Sequence, residues 1–330
     1  MKGRGSNQAF HQLGPDEILN AIDSVGFLCD GRLLALNSFE NRVYQVGMEE
    51  GGFLVAKFYR AGRWSDEAIL EEHRFTHELA EAELPAIAPI ERDGTTLFHA
   101  GPHRFALYPR RGGRCLDLES HDQLLRMGHF LGRMHGVAAT RTFLHRPTLD
   151  PVTFGREPVD YLLENHVLPG HLEGQYQSLA NQLLQAITAC YQRAGSFPLV
   201  RIHGDCHHGN LLWNDDGPQV LDFDDARMGP AIQDLWMCLP GNRQEQASRL
   251  DDLLEGYEVF YTFNEGEMYL IEALRTLRVM HYAAWIAQRW EDPAFPRAFP
   301  WFQGDRYWEG HLHTLKEQLR AMEHALTIIH

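Results

Sequence analysis

The segment HGDCHHGNLLWNDDGPQVLDFDD, residues 203 to 225, places the tightest constraint on how this chain folds. Asp205 and Asn210 flank a short loop, and Asp222 follows after two apolar runs, Leu211 to Trp213 and Val220 to Phe223. The turn-rich NDDGP between those runs predicts a β-hairpin. Any fold that accepts this segment must bring both ends of the hairpin, each carrying an oxygen ligand, back to one place.

The crowd of His and Cys in the same stretch suggests zinc, whose structural sites favour those ligands. The oxygen donors point elsewhere. Aspartate and asparagine suit Mg²⁺, which takes few protein ligands and completes its octahedron with water and phosphate. Phosphoryl transfer needs such ligands beside a carboxylate that accepts a hydroxyl proton. Asn210 and Asp222 are therefore the expected metal ligands and Asp205 the expected base. Cys206 and His208 are expected to be loop side chains. His203 is expected to bond backbone carbonyls around the loop, and Asp234 to cap backbone N–H groups. His207 stands between donating a hydrogen bond to the transferring phosphoryl group and simple packing, and Asp224 between a metal contact and a supporting role.

The nucleotide side of such a site requires a strand lysine and a helix glutamate. The chain has only three lysines, Lys2, Lys57 and Lys316; every other basic residue is arginine. Lys57 alone lies away from the ends, inside the strand-like FLVAKFY, where a compact point charge does what a bulky guanidinium does poorly. Glu72, on the helix expected from Ser65 onward, is the expected partner, with Glu71 the alternate.

The pattern around these residues is α+β. A helix from Pro15 is followed by three strand-like runs, RLLALNS, NRVYQVGM and GFLVAKFYR, with linkers short enough for an antiparallel meander. After the Ser65 helix come TTLFHA and HRFALYPR. From RRGGR at 110 to 114 helical periodicity dominates, as in SHDQLLRMGHFLGRMHGVA and GQYQSLANQLLQAITACYQRAG. The expected organisation is a loose segment 1–14, a β-rich nucleotide-binding lobe 15–109, and a mainly helical lobe 110–330 carrying the catalytic loop, metal site and acceptor site. Leu107, Tyr108 and Pro109, at the junction, are expected to hold adenine through their backbone.

HGDCHHGN resembles the H-x-D-x-x-x-x-N catalytic loop of protein kinases and of aminoglycoside and choline phosphotransferases, and DFD resembles their magnesium motif. Two features depart from ordinary protein kinases. NSFENRVY, between the first two strands, has no glycine-rich cradle, so Ser38, Asn41 and Arg42 are candidate phosphate contacts. Only DFDDARMGPAIQDLW separates Asp222 from Asp234, too short for an activation segment. With LNSFENRVYQ, LGRMH and DPAFPRAFPWF added, the chain resembles the bacterial stress response kinase A family. The resemblance implies a bilobal, choline-kinase-like fold and a cytoplasmic serine/threonine protein kinase using ATP and magnesium. It also implies Ser38 at ATP, Asp205 as base, and Asn210 and Asp222 on the metal.

The acceptor is left open by the chemistry, which asks only for an alcohol. A small-molecule kinase of the aminoglycoside, choline or homoserine sort would use the same machinery. A pseudokinase would lack the base, lysine or metal ligands, all of which are present. The aromatic-rich 281 to 308 is expected to be a packed cover of the lobe, with a substrate groove as the alternative. A formal charge of −15 argues against nucleic acid as a partner. No run approaches the ~18 uninterrupted apolar residues of a membrane span, and no apolar leader is visible, so a cytoplasmic protein is expected. Five cysteines with no C-x-x-C fit a reducing compartment.

Overall fold

The structure is a computed structural model and describes residues 10, 13–115, 118–214 and 217–328. Most of the segment 1–14 lies outside them. Helix α1 (Pro15–Ser24), with Pro at its first turn, leads into β1 (Cys29–Leu36), β2 (Arg42–Met48) and β3 (Phe53–Phe58). Then come α2 (Asp66–Glu81), β4 (Phe98–Ala100) and β5 (His103–Pro109). The five strands form one antiparallel sheet in the order β1-β2-β3-β5-β4. Lys57 pairs with Val43 on one side and Ala106 on the other, which fixes its place in the middle of the sheet.

Two layers cover this sheet. Ile18, Ala21 and Ile22 of α1 pack with Val46, Phe58, Phe105 and Leu107 on one face. On the other, Ile69 of α2 packs with Tyr59, Leu97 and Ala106. Ser65 caps α2 by accepting from the Ala68 N–H at 3.2 Å. The far side of α2 belongs to the large lobe, because Phe75 and Leu79 are buried in its core.

After the linker at 110–113 comes the short β6 (Arg114–Cys115), followed by α3 (His121–Ala138), α4 (Glu157–Glu164) and α5 (Gly170–Ala194). A β-rich segment is inserted next as β7 (Val200–Ile202), β8 (Leu211–Asn214), β9 (Gly217–Val220) and β10 (Arg227–Gly229). The chain ends in α6 (Ile232–Met237), α7 (Arg243–Tyr257), α8 (Ile271–Gln288), α9 (Ala294–Ala298) and α10 (Asp305–Ile328). The expected hairpin is present as β8–β9, with Leu211 opposite Val220, and β6 joins as its third strand. Its second strand stops at Val220 rather than Phe223, because Asp222 adopts a left-handed backbone, φ 58°, and 223–225 form a 3-10 turn. The β7–β10 pair, too short for a sequence signal, ties the entry of the 203–210 loop to the exit of the hairpin.

Helices α3 and α7 cross at backbone contact. Cβ atoms added at Gly128 or Gly256 would collide with the carbonyls of Leu253 and Leu125. Gly128→Val is therefore expected to cost about 1–3 kcal/mol through overpacking. A drop of several degrees in Tm checks this, and an unchanged Tm would contradict the close crossing.

Candidate active site

The loop 203–210 hangs from Asp234 at the start of α6. Its carboxylate accepts from the backbone N–H groups of His203 at 2.7 Å and Gly204 at 2.9 Å. Asp234 is also held by His135 at 3.2 Å, whose other ring nitrogen meets the Tyr257 hydroxyl at 2.8 Å. His203 lies fully buried between Nε2 contact to the Leu221 carbonyl at 2.8 Å and an Nδ1 that accepts from Asp205 N–H at 3.2 Å. Both residues thus have the supporting geometry expected of them. Gly204, at φ 82°, lies against the Asp225 carbonyl so closely that a Cβ would clash, so the loop and the aspartate segment share one packed backbone interface.

Asp205 has both carboxylate oxygens engaged by large-lobe side chains. Oδ2 meets His207 Nε2 at 3.3 Å and Asn210 Nδ2 at 3.5 Å. Oδ1 lies 2.8 Å from Nη1 of Arg278 on α8, an ion pair without the alignment of a good hydrogen bond. Burial alone would raise the Asp205 pKa, but the His207 hydrogen bond and the Arg278 charge hold it below the ordinary carboxylate range. Asn210 donates Nδ2 to the Asp205 carbonyl at 3.0 Å, so its amide oxygen is the atom left to serve as a ligand.

Across the hairpin Asp222 leaves 53% of its side chain exposed, and its Oδ1 accepts from Lys57 at 2.7 Å. Lys57 is buried and also lies 3.4 Å from Asp224. Burial pulls the Lys57 pKa down, yet Asp222, Asp224 and, farther off, Glu72 hold the ammonium charged. The direct Lys57–Glu72 pair expected from sequence does not form. Glu72 instead faces Arg146, 3.7 Å away, and burial pushes its carboxyl up to about 7. The reason is geometric: Arg146 enters between α2 and the hairpin exit. It donates to the carbonyls of Ala68, Asp224 and Ala226 at 2.8–2.9 Å and stacks on Trp64. Glu71, the alternate, accepts three backbone N–H groups from Leu144, His145 and Arg146.

Asp224 is occupied by cations and buried. Asn41 Nδ2 donates to it at 3.0 Å, Arg63 pairs with it, and Lys57 completes the set. Asn41 also accepts from Arg60 N–H, so neither end of its amide is free for phosphate. Arg42 turns instead to Asp292 at 3.3 Å. Ser38 is half-buried in the β1–β2 loop. The three junction residues divide: Leu107 is core, its carbonyl accepting from Ile90 N–H at 2.7 Å, and the Tyr108 hydroxyl meets that of Tyr59 at 3.0 Å. Leu107 is thus spent inside the sheet, and only Pro109 reaches the linker.

The aromatic segment 281–308 is packed into the lobe, with Phe295, Phe302 and Trp308 buried. Sequence did not reveal that it also grips the β1–β2 loop. Glu40 accepts from Trp285 Nε1 and pairs with Arg289, both at 2.6 Å, and Asp292 pairs with Arg60 at 2.8 Å. Phe39 stacks near Phe299 at 5.3 Å.

A small antiparallel sheet over a helical lobe, with an Asp-Asn loop, a facing aspartate and a strand lysine at their junction, defines a phosphotransferase of the bilobal protein-kinase-like class. The chain belongs to the Phosphotransferase enzyme family, whose model matches residues 32–271. It is 41% identical over 314 residues to Stress response kinase A of Escherichia coli strain K12, covering 95% of each chain. Serine/threonine protein kinase RdoA of Salmonella typhimurium strain LT2 is also 41% identical, over 95% of this chain and 94% of that one. Among solved structures, a microcompartment-associated aminopropanol kinase aligns with TM-score 0.71 at 16% identity, over 92% of this chain and 98% of that one. Amicoumacin kinase hAmiN, in complex with AMP-PNP and Ca²⁺, gives 0.66 at 17% identity, over 87% and 92%. No described helix is long and apolar enough to cross a membrane.

Proposed function

We propose that this chain is an ATP- and magnesium-dependent kinase that transfers the γ-phosphate to a hydroxyl, with protein serine or threonine as the acceptor. One arrangement supports the reading: Asn210 meets Asp205 through its side chain and Leu221, the neighbour of Asp222, through its backbone carbonyl, while Lys57 reaches Asp222 from the sheet. The donor set fits a hard cation, since the half-exposed Asp222 carboxylate and the Asn210 amide oxygen are oxygen ligands and no thiolate or imidazole is needed. Asn210 and Asp222 would hold the ion; Asp224, buried and consumed by Lys57, Arg63 and Asn41, would not. When bound, magnesium neutralises charge on the β- and γ-phosphates.

The remaining work falls to the chain. Lys57, held charged in the sheet, attracts the nucleotide phosphates, and the β1–β2 loop around Ser38 lies over them. Glu72 keeps α2 and Arg146 in register and acts on Lys57 at a distance. Pro109 and the linker after it border the adenine end. Asp205 orients the acceptor hydroxyl and takes its proton as the new O–P bond forms and the bond from the γ-phosphorus to the β-phosphate oxygen breaks, leaving ADP. The protein acceptor is supported by the name of the Salmonella relative, a serine/threonine protein kinase, and Tyr282 and Trp301, both half-exposed against Phe299, offer apolar surface to such an acceptor.

A transfer assay with γ-labelled ATP, offering a generic protein beside a panel of small alcohols and aminoglycosides, tests this. Magnesium-dependent label on protein serine or threonine is the expected result. Label on a small alcohol alone would move the assignment to a small-molecule kinase, and no label on any acceptor would contradict the proposal.

A further inference from the structure

Arg278 is the residue at this site that nothing in the phosphotransfer machinery requires. It stands on α8, far in sequence from the catalytic loop, yet its guanidinium lies 2.8 Å from Oδ1 of Asp205. Asp205 offers its other oxygen to His207 and Asn210, so Oδ1 is the position where an acceptor hydroxyl must arrive. A base approached by its substrate needs that oxygen within hydrogen-bond reach of the incoming O–H. Arg278 therefore occupies the acceptor's place and must move aside, or tilt, when the acceptor binds.

The residue is built for such an exchange. Its side chain is 44% exposed, and Asp205 is its one ion-pair partner among the described residues. A guanidinium carries five donors in a planar fork, of which this contact uses a fraction, and the fork matches a carboxylate in bidentate fashion. The nearby cations are committed elsewhere: Lys57 to Asp222 and Asp224, Arg63 to Asp224 and Asp225, Arg227 to Asp225. One turn along the same face of α8, Tyr282 is 43% exposed and stacks on Trp285, giving the acceptor an apolar surface beside the charge.

Resting on the phosphotransferase assignment of Asp205, we infer that Arg278 is a specificity-determining residue. It receives a carboxylate placed next to the acceptor hydroxyl, and by turning to that carboxylate it releases Oδ1 of Asp205 for the hydroxyl. The preferred acceptor is then a hydroxyl flanked by an acid. Cationic alcohols such as aminoglycosides or choline would leave Arg278 on the base and place like charges together. The carboxylate can come from an acidic residue beside a serine or from a free hydroxy acid, two sources with one chemistry.

The test compares kcat/KM for serine peptides flanked by Glu, Ala or Arg, and for free homoserine against an aminoglycoside, in wild type, Arg278→Gln and Arg278→Lys. A charge-assisted hydrogen bond is worth about 1.5–3 kcal/mol, so wild type is expected to prefer the Glu-flanked over the Arg-flanked peptide by about 10- to 150-fold. In Arg278→Gln that ratio is expected to fall toward one, with partial recovery in Arg278→Lys and no rise in KM for ATP. Preference for homoserine over every peptide would assign the carboxylate to a small hydroxy acid, and the reverse to a polypeptide; both support the inference. It is overturned if wild type shows no acidic preference, or if Arg278→Gln keeps it. It is also overturned if Arg278→Gln raises KM for ATP and slows all acceptors alike, which would place the guanidinium on the nucleotide phosphates. Absence of transfer to any acceptor by wild type would overturn the phosphotransferase assignment itself.

Discussion

Replacing Asp205 with asparagine is expected to lower kcat by about 10²- to 10⁴-fold, the usual worth of a positioned general base, while KM for ATP stays near its wild-type value. The substitution keeps the shape of the side chain and its contacts with Asn210 and His207, and it removes the proton-accepting charge. It acts on the acceptor side alone, because the nucleotide-side ammonium, Lys57, is bound to Asp222 and Asp224 rather than to Asp205. His207 and Arg278 keep the Asp205 carboxylate below its ordinary range against the effect of burial, so it is ionised throughout neutral pH. The stability lent by this pairing is present above the ordinary carboxylate pKa and is lost as pH falls through the lowered one. Steady-state kinetics at saturating ATP check the kcat effect. Wild-type turnover in the variant would remove Asp205 from the chemistry.

Asp222→Ala is expected to abolish the metal-dependent part of nucleotide stabilisation. At a nucleotide concentration about 100 times Kd, ligand binding adds about 2.7 kcal/mol to the folded state. In the variant, the increment with magnesium is expected to shrink to that seen with chelator. The fold itself should tolerate the change, since Asp222 is 53% exposed and Lys57 retains Asp224 at 3.4 Å as a counter-charge. The left-handed backbone at Asp222 costs alanine more than aspartate, so each melt is read against the ligand-free variant. Thermal melts with Mg·ADP and with ADP plus chelator measure the effect. An undiminished magnesium increment would put the metal elsewhere.

How much of the site could be read in the sequence follows from how local each part is. Asp205, Asn210 and Asp222 lie within a single hairpin-bearing segment, so spacing and ligand chemistry single them out as candidates before any tertiary contact is known. Lys57 stood out because the chain otherwise uses arginine. The sheet and its embedded helix followed from alternation and from caps such as Ser65. Partner choice was not legible, because it depends on which faces meet. Glu72 is matched to Arg146, which comes from a loop without pattern, LHRPTL, and not to Lys57. Leu107 looked like a hinge residue from its place at the strand end, yet the Ile90 N–H and the sheet core claim it. Glu40 and Asp292 are separated by some 250 positions and meet only because the lobes close, each drawing Arg60 or its neighbours into one clamp. Arg278 had a faint signal: it shares a helical face with the aromatic residues Tyr282 and Trp285, where a charged residue needs a reason. In an arginine-rich chain that signal did not separate it from the rest.

The most direct test of a phosphoryl-transfer site at this junction is a side-by-side measurement of labelled phosphate transferred from ATP by wild type, Asp205→Asn and Asp222→Ala, together with magnesium-dependent nucleotide binding by each. The expected result is transfer by wild type only, with metal-dependent binding kept in Asp205→Asn and lost in Asp222→Ala. Transfer at wild-type rate by either variant, or the same binding loss in both, would contradict the division of base and metal ligand between the two ends of the hairpin.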